Sequence, residues 1–221
     1  MNNDLGFNLT GDAHGERRAD SRSATVFRPV LIEADGFAGF CLVRNLSPTG
    51  MRGRVYTSFA EGQPIRVEFS PDKIVQGTLV WCKDEHIGVH FDKQIDVERM
   101  LSELARKHVE GKVNRAPRLQ IQCKAELLIA DRTLEVEVQD ISQRGIKATA
   151  SFIKAGDEVQ VMLGGLKRIA AVRWTQGGTA GLNFIVPLSF EELAYWVIER
   201  QSEEGRAAEE ATYFDRGGIA A

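Results

Sequence analysis

The stretch Val43-Arg44-Asn45-Leu46-Ser47-Pro48-Thr49-Gly50-Met51 is matched later in the chain by Val138-Gln139-Asp140-Ile141-Ser142-Gln143-Arg144-Gly145-Ile146. Both stretches contain the pattern Asx-x-Ser-x-x-Gly, and they lie 95 positions apart. A second set of landmarks recurs in the same order, 93 positions apart: Val80-Trp81 with Gly88-Val89-His90-Phe91, and Arg173-Trp174 with Gly181-Leu182-Asn183-Phe184. Two sets of landmarks at nearly the same offset predict two copies of one structural unit.

Each copy is predicted to be a small all-β unit. Its apolar segments are short, rich in β-branched and aromatic residues, and separated by turn-forming residues. In the first copy these segments are 24–32, 39–45, 51–55, 64–69, 75–82 and 86–91. The second copy repeats the rhythm from Gln120 to Ile185. Six strands of this length favour a small closed barrel, because closure removes exposed strand edges.

A helix is predicted after each barrel. Residues 96–109 place apolar side chains near one face, and Asp96 is suited to cap the first turn. Residues 189–204 begin with Ser189 and Glu192 at the spacing of a capping box. The fold class is therefore mainly β, with two tandem six-stranded barrels, each followed by an α-helix.

The domain organisation follows from these elements. We expect a flexible N-terminus and a flexible, polar C-terminal tail around the two barrels and their helices. The predicted boundaries are 1–15 for the N-terminus, 16–95 for the first barrel, 96–113 for the connecting helix, 114–187 for the second barrel, 188–205 for the C-terminal helix and 206–221 for the tail.

The charge balance limits the class of ligand. The 221 residues include 28 Lys and Arg against 31 Asp and Glu, which gives a formal net charge of −3. A dedicated duplex-binding protein would normally carry a basic excess, so we expect no DNA or RNA partner. Of the 28 basic residues, 19 are arginine, the side chain that grips phosphate with two parallel hydrogen bonds. A small anionic ligand therefore remains open.

Cysteine usage and hydropathy indicate a cytoplasmic protein. Cys41, Cys82 and Cys123 are too few and too scattered for a disulfide framework or a CxxC metal site, so buried thiols are expected. No run approaches the ~18 apolar residues needed to cross a bilayer. The N-terminal residues also lack the apolar core of a signal peptide, and we expect a soluble chain without membrane insertion.

The Asx-x-Ser-x-x-Gly pattern has a physical rationale as a polar turn. An Asx or Ser side chain can hydrogen-bond the backbone two residues further on, and glycine supplies a backbone angle that other residues resist. Asn45 and Ser47 would then offer polar atoms at the rim of the barrel, with Gly50 completing the turn. The alternative is that this segment only joins two strands.

An arginine cluster precedes the first strand. The segment Arg17-Arg18-Ala19-Asp20-Ser21-Arg22 contains Arg-x-x-x-Arg at Arg18 and Arg22. Such a pair alone is uninformative in a chain with 19 arginines. The Arg pair becomes informative through its position. It lies in an irregular segment, a predicted strand follows it, and Asn-x-Ser-x-x-Gly follows that strand.

This ordered combination resembles the PilZ domain family, bacterial receptors for cyclic di-GMP. The resemblance covers residues 16–95 well, and residues 114–187 resemble a degenerate copy. It implies a six-stranded barrel with an N-terminal arm that folds over the ligand. It also implies a cyclic di-GMP site made of Arg18 and Arg22 from the arm and of Asn45, Ser47 and Gly50 from the turn. Arg17 is a third predicted contact, of the type that holds a stacked ligand dimer.

The chemistry of the ligand agrees with these residue types. Cyclic di-GMP carries two phosphates and two guanines, which arginine can bind through bidentate hydrogen bonds or by stacking. The resemblance further implies that a partner protein reads the bound state and controls motility, exopolysaccharide or biofilm formation. The alternative is a PilZ-like adaptor that binds its protein partner irrespective of nucleotide. No residue in the sequence indicates which target lies downstream, how many ligand molecules bind, or which oligomeric state the protein has.

The second copy departs from the pattern. Aligning Cys123-Lys124 with Phe27-Arg28 puts Arg118 where Arg22 stands but leaves Asn114 in place of Arg18. The turn residues Asp140, Ser142 and Gly145 are retained. We expect a second domain that binds no nucleotide and serves a structural or partner-binding role, with weak or shared binding as the alternative.

Catalysis finds no support in the sequence. His86 and His90 are four apart but lie on a predicted strand without the carboxylate pattern of a metalloenzyme. Neither a Gly-x-Ser-x-Gly nucleophile motif nor a phosphate-binding P-loop is present. We expect no enzyme activity, no metal and no cofactor, and we expect Trp81 and Trp174 to serve core or rim packing.

Overall fold

The computed structural model describes residues 24–109 and 116–202. The first half contains six strands and a helix: β1 (Ala24–Ala34), β2 (Phe37–Ser47), β3 (Gly50–Arg54), β4 (Pro64–Ser70), β5 (Lys73–Lys83), β6 (His86–Phe91) and α1 (Val97–Val109). The second half repeats this order: β7 (Leu119–Ile129), β8 (Arg132–Ser142), β9 (Gly145–Thr149), β10 (Glu158–Leu163), β11 (Leu166–Gln176), β12 (Thr179–Phe184) and α2 (190–202).

Both strand sets close into antiparallel barrels. The order around barrel 1 is β1-β2-β3-β6-β5-β4, and β4 closes onto β1 through Leu31 to Glu33. Barrel 2 has the equivalent order β7-β8-β9-β12-β11-β10. The predicted fold class, mainly β with two six-stranded barrels each followed by a helix, is confirmed.

The hairpin turns explain why the strands begin and end where they do. Asp35 and Gly36 join β1 to β2 with positive φ angles of 47° and 78°, the backbone of a tight hairpin turn. Asp84 and Glu85 join β5 to β6 in the same conformation, at φ 49° and 59°. In barrel 2 the first turn consists of Ala130, at φ 50°, and Asp131, because Ile129 pairs with Arg132 at the start of β8.

Each helix covers its own barrel with an apolar face. Val97, Met100 and Leu104 of α1 belong to the buried core of barrel 1. The backbone N–H of Arg99 donates to Asp96 Oδ1 at 2.9 Å, which confirms the predicted cap. Among the described residues, neither helix is long and apolar enough to span a membrane.

The second helix begins with the predicted capping box. The Ser189 N–H donates to Glu192 Oε2 at 2.8 Å, and the Glu192 N–H donates to Ser189 Oγ at 3.1 Å. Leu193, Trp196 and Val197 then enter the core of barrel 2. The helix start is therefore fixed by the local sequence.

The barrels also share a buried surface. Leu31 and Phe40 lie on the outer wall of barrel 1, opposite each other on β1 and β2. Both are buried, and both belong to the apolar cluster that forms the core of barrel 2 and its helix. Helix α2 thus packs against both barrels.

Candidate functional site

The β2–β3 turn is built by the predicted serine. Ser47 Oγ donates to the Gly50 carbonyl at 3.1 Å, which closes the four-residue turn. The equivalent turn of barrel 2 is closed in the same way, since Ser142 Oγ donates to the Gly145 carbonyl at 3.2 Å. Its hydroxyl also accepts from the Arg144 N–H at 3.3 Å. The recurring serine therefore has a structural role in both copies.

Gly50 is required by space rather than by an unusual backbone angle. A Cβ at Gly50 would lie 2.3 Å from the Val89 carbonyl oxygen on β6, a distance that no side chain tolerates. Its φ is not among the positive values, so the expected reason, an angle that other residues resist, is wrong for this position. Gly145 makes the same close approach, with its Cβ position 1.9 Å from the Leu182 carbonyl oxygen.

A β-bulge turns Asn45 to the outside of the barrel. Regular alternation would place Asn45 on the same side as Val43, which is fully buried in the core. The register between β2 and β3 shifts between Val43 and Asn45, so Leu46 takes the inward position instead. Barrel 2 has its bulge at the equivalent place, between Val138 and Asp140.

The bulge also presents Arg44 beside the turn. The Arg44 guanidinium lies 4.7 Å from the centroid of the Phe27 ring, and that ring is 69% exposed. A cation over an exposed aromatic face is a weak attraction, which leaves the guanidinium near the surface. Arg44 was not among the predicted site residues, although its place directly before Asn45 is visible in the sequence.

Arg52 and Trp81 extend this surface across β3, β6 and β5. Arg52 lies opposite Asn45 on one side and Gly88 on the other. The Trp81 ring covers Gly88 so closely that a Cβ there would lie 2.1 Å from Nε1. The Arg52 guanidinium is 5.8 Å from the Trp81 ring, which is consistent with the predicted rim packing and leaves Trp81 36% exposed.

We call Arg44, Asn45, Ser47, Arg52 and Trp81 the polar rim of barrel 1. The structure brings Asn45, Ser47 and Gly50 together at one end of β2 and β3, as the sequence predicts. Arg17, Arg18 and Arg22 lie outside the described residues. Arg52, like Arg44, was not among the predicted site residues, and the signal that would have indicated both is the position of basic residues on either side of the repeated turn.

A neighbouring arginine has a different environment. Arg54 Nη2 donates to Glu85 Oε2 at 2.7 Å, and Arg54 Nε donates to the same oxygen at 3.1 Å. This hydrogen bond raises the pKa of Arg54. Arg54, like Arg44 and Arg52, lies near an aromatic ring, and it differs from them by its hydrogen bonds to a carboxylate.

The strand register corrects the alignment of the second copy. Arg28 lies opposite Val43 in barrel 1, and Cys123 lies opposite Val138 in barrel 2. The constant offset of 95 therefore pairs Arg28 with Cys123, one residue away from the predicted alignment. At this offset Pro117 takes the place of Arg22, and Arg118 takes that of Ser23. The second copy retains neither arginine of the motif at its original position.

Arg118 nevertheless reaches the turn of barrel 2. Its Nη1 donates to Asp140 Oδ1 at 2.5 Å, and Asp140 is a buried residue with only 7% exposure. In a short, partly buried ion pair of this kind, each charged group has its partner within the protein. The rim of barrel 2 is therefore internally satisfied at the position where barrel 1 has a neutral amide.

The described residues offer no metal site. Within 24–109 and 116–202, no three His, Cys, Asp or Glu side chains are grouped so that they could hold an ion. His86 Nδ1 lies 2.7 Å from the Asp84 carbonyl oxygen, a contact within the β5–β6 turn. The chemistry of the rim is that of amide, hydroxyl, guanidinium and indole groups, which bind ligands but lack a paired acid and base.

Comparison with known families finds a match in the first half of the chain. Residues 16–107 match the family model described as PilZ domain. No curated protein sequence matches the chain. The match spans the whole of barrel 1, the arginine segment before it and most of α1.

Several solved structures resemble this chain at low sequence identity and low TM-score. The Borreliella burgdorferi PlzA protein in complex with c-di-GMP is 10% identical, with 78% of this chain and 88% of that chain covered and a TM-score of 0.37. YcgR from Escherichia coli, in complex with c-di-GMP, is 14% identical, with 84% and 88% covered and a TM-score of 0.33. The K. pneumonia MrkH–c-di-GMP complex is 10% identical, with 85% and 100% covered and a TM-score of 0.32. The similarity to a known family therefore lies in residues 16–107, which match the PilZ domain model.

Proposed function

We propose that this protein is a non-catalytic receptor for cyclic di-GMP, which binds at the polar rim of barrel 1. The observation that carries the proposal is the extent of the PilZ match, because residues 16–107 include both the arginine segment and the repeated turn. The rim then supplies Asn45 and Ser47 on the outside of the barrel, where the bulge has turned them.

The proposed contacts follow from the charges of the ligand. Arg18 and Arg22 of the N-terminal segment bind phosphates and guanine edges, with Arg17 as a third contact. Asn45 offers a donor and an acceptor to a guanine edge. Gly50 keeps the turn close to β6, so that Asn45 and Ser47 hold their places.

Arg44, Arg52 and Trp81 enlarge this surface. Trp81 is 36% exposed beside Arg52, and a purine can stack on an accessible indole ring. Arg44 and Arg52 add positive charge on both sides of Asn45. Two phosphates brought to this rim would therefore meet guanidinium groups rather than carboxylates.

The proposed output is a protein–protein interaction. A cytoplasmic partner that acts on motility, exopolysaccharide or biofilm formation would read the ligand-bound state of barrel 1. Barrel 2 lacks both motif arginines at their original positions, so we assign it a structural or partner-binding role. Neither DNA nor RNA is a proposed partner, since the net charge of −3 gives no general attraction to nucleic acid.

Isothermal titration calorimetry with cyclic di-GMP tests the proposal. The full chain should bind the ligand, the Arg18→Ala/Arg22→Ala double variant should lose binding, and Asn45→Ala should bind more weakly. Arg132→Ala is the matched control, because this exposed arginine lies in barrel 2, at the start of β8. Unchanged affinity in the double variant would refute the proposed site.

The alternative is an adaptor that acts irrespective of nucleotide. This alternative predicts that a partner protein binds the wild-type chain and the Arg18→Ala/Arg22→Ala variant equally well, both with and without cyclic di-GMP. The receptor proposal instead requires the partner's affinity to change when the ligand is added. The two hypotheses therefore make opposite predictions for the same pull-down.

A further inference from the structure

Helix α2 is fastened to the outer wall of barrel 1 by aromatic rings. The Phe190 ring packs edge-on against Phe40, with centroids 6.3 Å apart, and lies 6.0 Å from the Tyr56 ring. Tyr56 also meets Tyr195 edge-on at 5.0 Å. These pairs bury aromatic surface in the geometry that aromatic rings prefer, so they stabilise the packing of α2 on barrel 1.

A side-chain amide fixes the far end of the helix. Ala38 on β2 donates its N–H to Gln201 Oε1 at 3.3 Å, and Gln201 Nε2 donates to the Ala38 carbonyl. Strand β3 pairs with β2 only from Leu42 onward, so Ala38 lies on a part of β2 that β3 does not reach. Gln201 thus takes the hydrogen-bonding place of a neighbouring strand.

The docking face belongs to barrel 1 alone. Its apolar centre is Leu31 and Phe40, and the constant offset of 95 places Glu126 and Glu135 at the equivalent positions of barrel 2. There the outer wall is charged, with Lys124 Nζ 2.7 Å from Glu135 Oε1. The same barrel therefore carries both the arginine segment and the surface that accepts α2.

The docking face and the polar rim lie on the same two strands. On β2 the outward side carries Phe40 and, beyond the bulge, Asn45. On β3, Arg52 lies opposite Asn45 and Arg54 lies opposite Leu42. The rim residues and the helix contacts are thus neighbours along one outer wall.

Arg54 links that wall to the helix. Its guanidinium lies 4.8 Å from the Tyr56 ring and is paired with Glu85 at 2.7 Å. The Tyr195 hydroxyl is 3.5 Å from the other oxygen of Glu85. Helix α2 therefore contacts the groups that hold the end of β3 opposite to the turn.

We propose that α2 positions the ligand site, so that docking of the helix and binding of cyclic di-GMP strengthen each other. Tyr195 and Gln201 are positioning residues, which act through β2 and β3 and do not touch the ligand. This inference rests on the proposed function of barrel 1. Because coupling between two sites is reciprocal, a helix that improves ligand binding must itself be stabilised by the ligand.

The test measures both directions of the coupling in the full chain. The Tyr195→Ala/Gln201→Ala variant should bind cyclic di-GMP about 5- to 20-fold more weakly. Tyr195→Phe should lose less affinity, because it keeps the ring contact with Tyr56 and loses only the 3.5 Å hydroxyl contact with Glu85. In the unmodified chain, saturating cyclic di-GMP should slow amide hydrogen exchange of residues 190–202 by a similar factor. The control is Phe152→Ala, which removes an aromatic of barrel 2 that is 85% exposed and should change neither quantity.

The outcomes separate this inference from the proposed function. If the wild-type chain binds no cyclic di-GMP, both the proposed function and the positioning role of α2 are overturned. If the wild type binds but the double variant binds equally well, only the positioning role is overturned. Amide exchange in the unmodified chain needs no substitution, so it decides the question even where the double variant does not fold, and unchanged exchange in α2 overturns the inference.

Discussion

Arg118 and Asp140 form an ion pair at the rim of barrel 2, with Nη1 2.5 Å from Oδ1. Asp140 is almost completely buried, while about a third of the Arg118 side chain remains exposed. The equivalent position in barrel 1 is Asn45, which has no charge to hold an arginine. One substitution between the copies thus puts a carboxylate that pairs with arginine at the rim of barrel 2 and a neutral amide at the equivalent position of barrel 1.

Removing the arginine should destabilise barrel 2. Arg118→Ala leaves the Asp140 carboxylate buried without its partner, and a buried group that loses its hydrogen bond costs about 1–3 kcal/mol. We expect a decrease of that size in the free energy of unfolding, measured by urea denaturation. Cyclic di-GMP binding at barrel 1 should not change.

The double variant Arg118→Ala/Asp140→Asn provides the control. Because asparagine removes the stranded charge, this variant should be more stable than Arg118→Ala alone. If both variants unfold at the wild-type urea concentration, the pair has no structural role and the contrast with Asn45 loses its meaning.

A methyl group at Gly50 should disrupt the β2–β3 turn. The new Cβ would lie 2.3 Å from the Val89 carbonyl oxygen, so the strands must separate. Overpacking of this kind costs about 1–3 kcal/mol. Gly50→Ala should therefore lower both the stability and the affinity for cyclic di-GMP.

Gly62→Ala is a useful comparison for that substitution. Gly62 has a φ of 81° but nothing within 4 Å of its Cβ position, so only backbone strain opposes the change. We expect a smaller loss of stability, about 1 kcal/mol, and unchanged ligand affinity. Equal losses of affinity in the two variants would show that close packing at Gly50 is not what shapes the site.

The sequence predicted the barrels because their determinants are local and repeated. Strand limits follow from β-branched segments between turn residues such as Asp84 and Glu85, and the helix start follows from Ser189 and Glu192. Each of these depends on neighbours a few residues away. The same local logic predicted the positions of Asn45 and Ser47 on a turn.

Other features depend on contacts between distant residues. Phe40 is of a residue type that is common in barrel cores. Only the three-dimensional structure shows that it faces outward and packs against Phe190 on α2. The position of Arg118 was misaligned by one residue, because that alignment compared residue types, whereas the pairing of β1 with β2 and of β7 with β8 fixes the offset at 95. For Trp81 the prediction left core and rim packing open, and the structure places it at the rim, where its neighbour Arg52 comes from a different hairpin.

Trp81 should report ligand binding through its fluorescence. It lies on the polar rim beside Arg52 and is 36% exposed, so a bound guanine can quench it by stacking. Trp174 occupies the equivalent place in barrel 2, packed over Gly181 and 43% exposed. Cyclic di-GMP should therefore quench the emission of wild type and of Trp174→Phe, but not that of Trp81→Phe.

This pair of variants also tests whether barrel 2 shares in binding. Quenching that survives in Trp81→Phe and disappears in Trp174→Phe would place the ligand on the wrong barrel for the proposed function. Calorimetry on both variants checks that each still binds, so that a missing signal is not mistaken for missing ligand.

Cys41 should be the least reactive of the three cysteines and should make stability fall at high pH. It is fully buried in barrel 1, and burial raises its pKa from 9.0 to about 12. Native protein treated with iodoacetamide at pH 8 should be modified at the half-buried Cys82 and Cys123 before Cys41, as mass spectrometry of peptides will show.

The buried Cys41 thiol should also make the stability depend on pH. Since the thiol of the unfolded chain ionises near its ordinary pKa while the folded thiol stays protonated, its contribution to the free energy of unfolding is complete below pH 9 and is lost as the pH rises toward 12. The wild type should therefore lose more stability than Cys41→Ala across that interval, and identical slopes for the two proteins would contradict the burial argument.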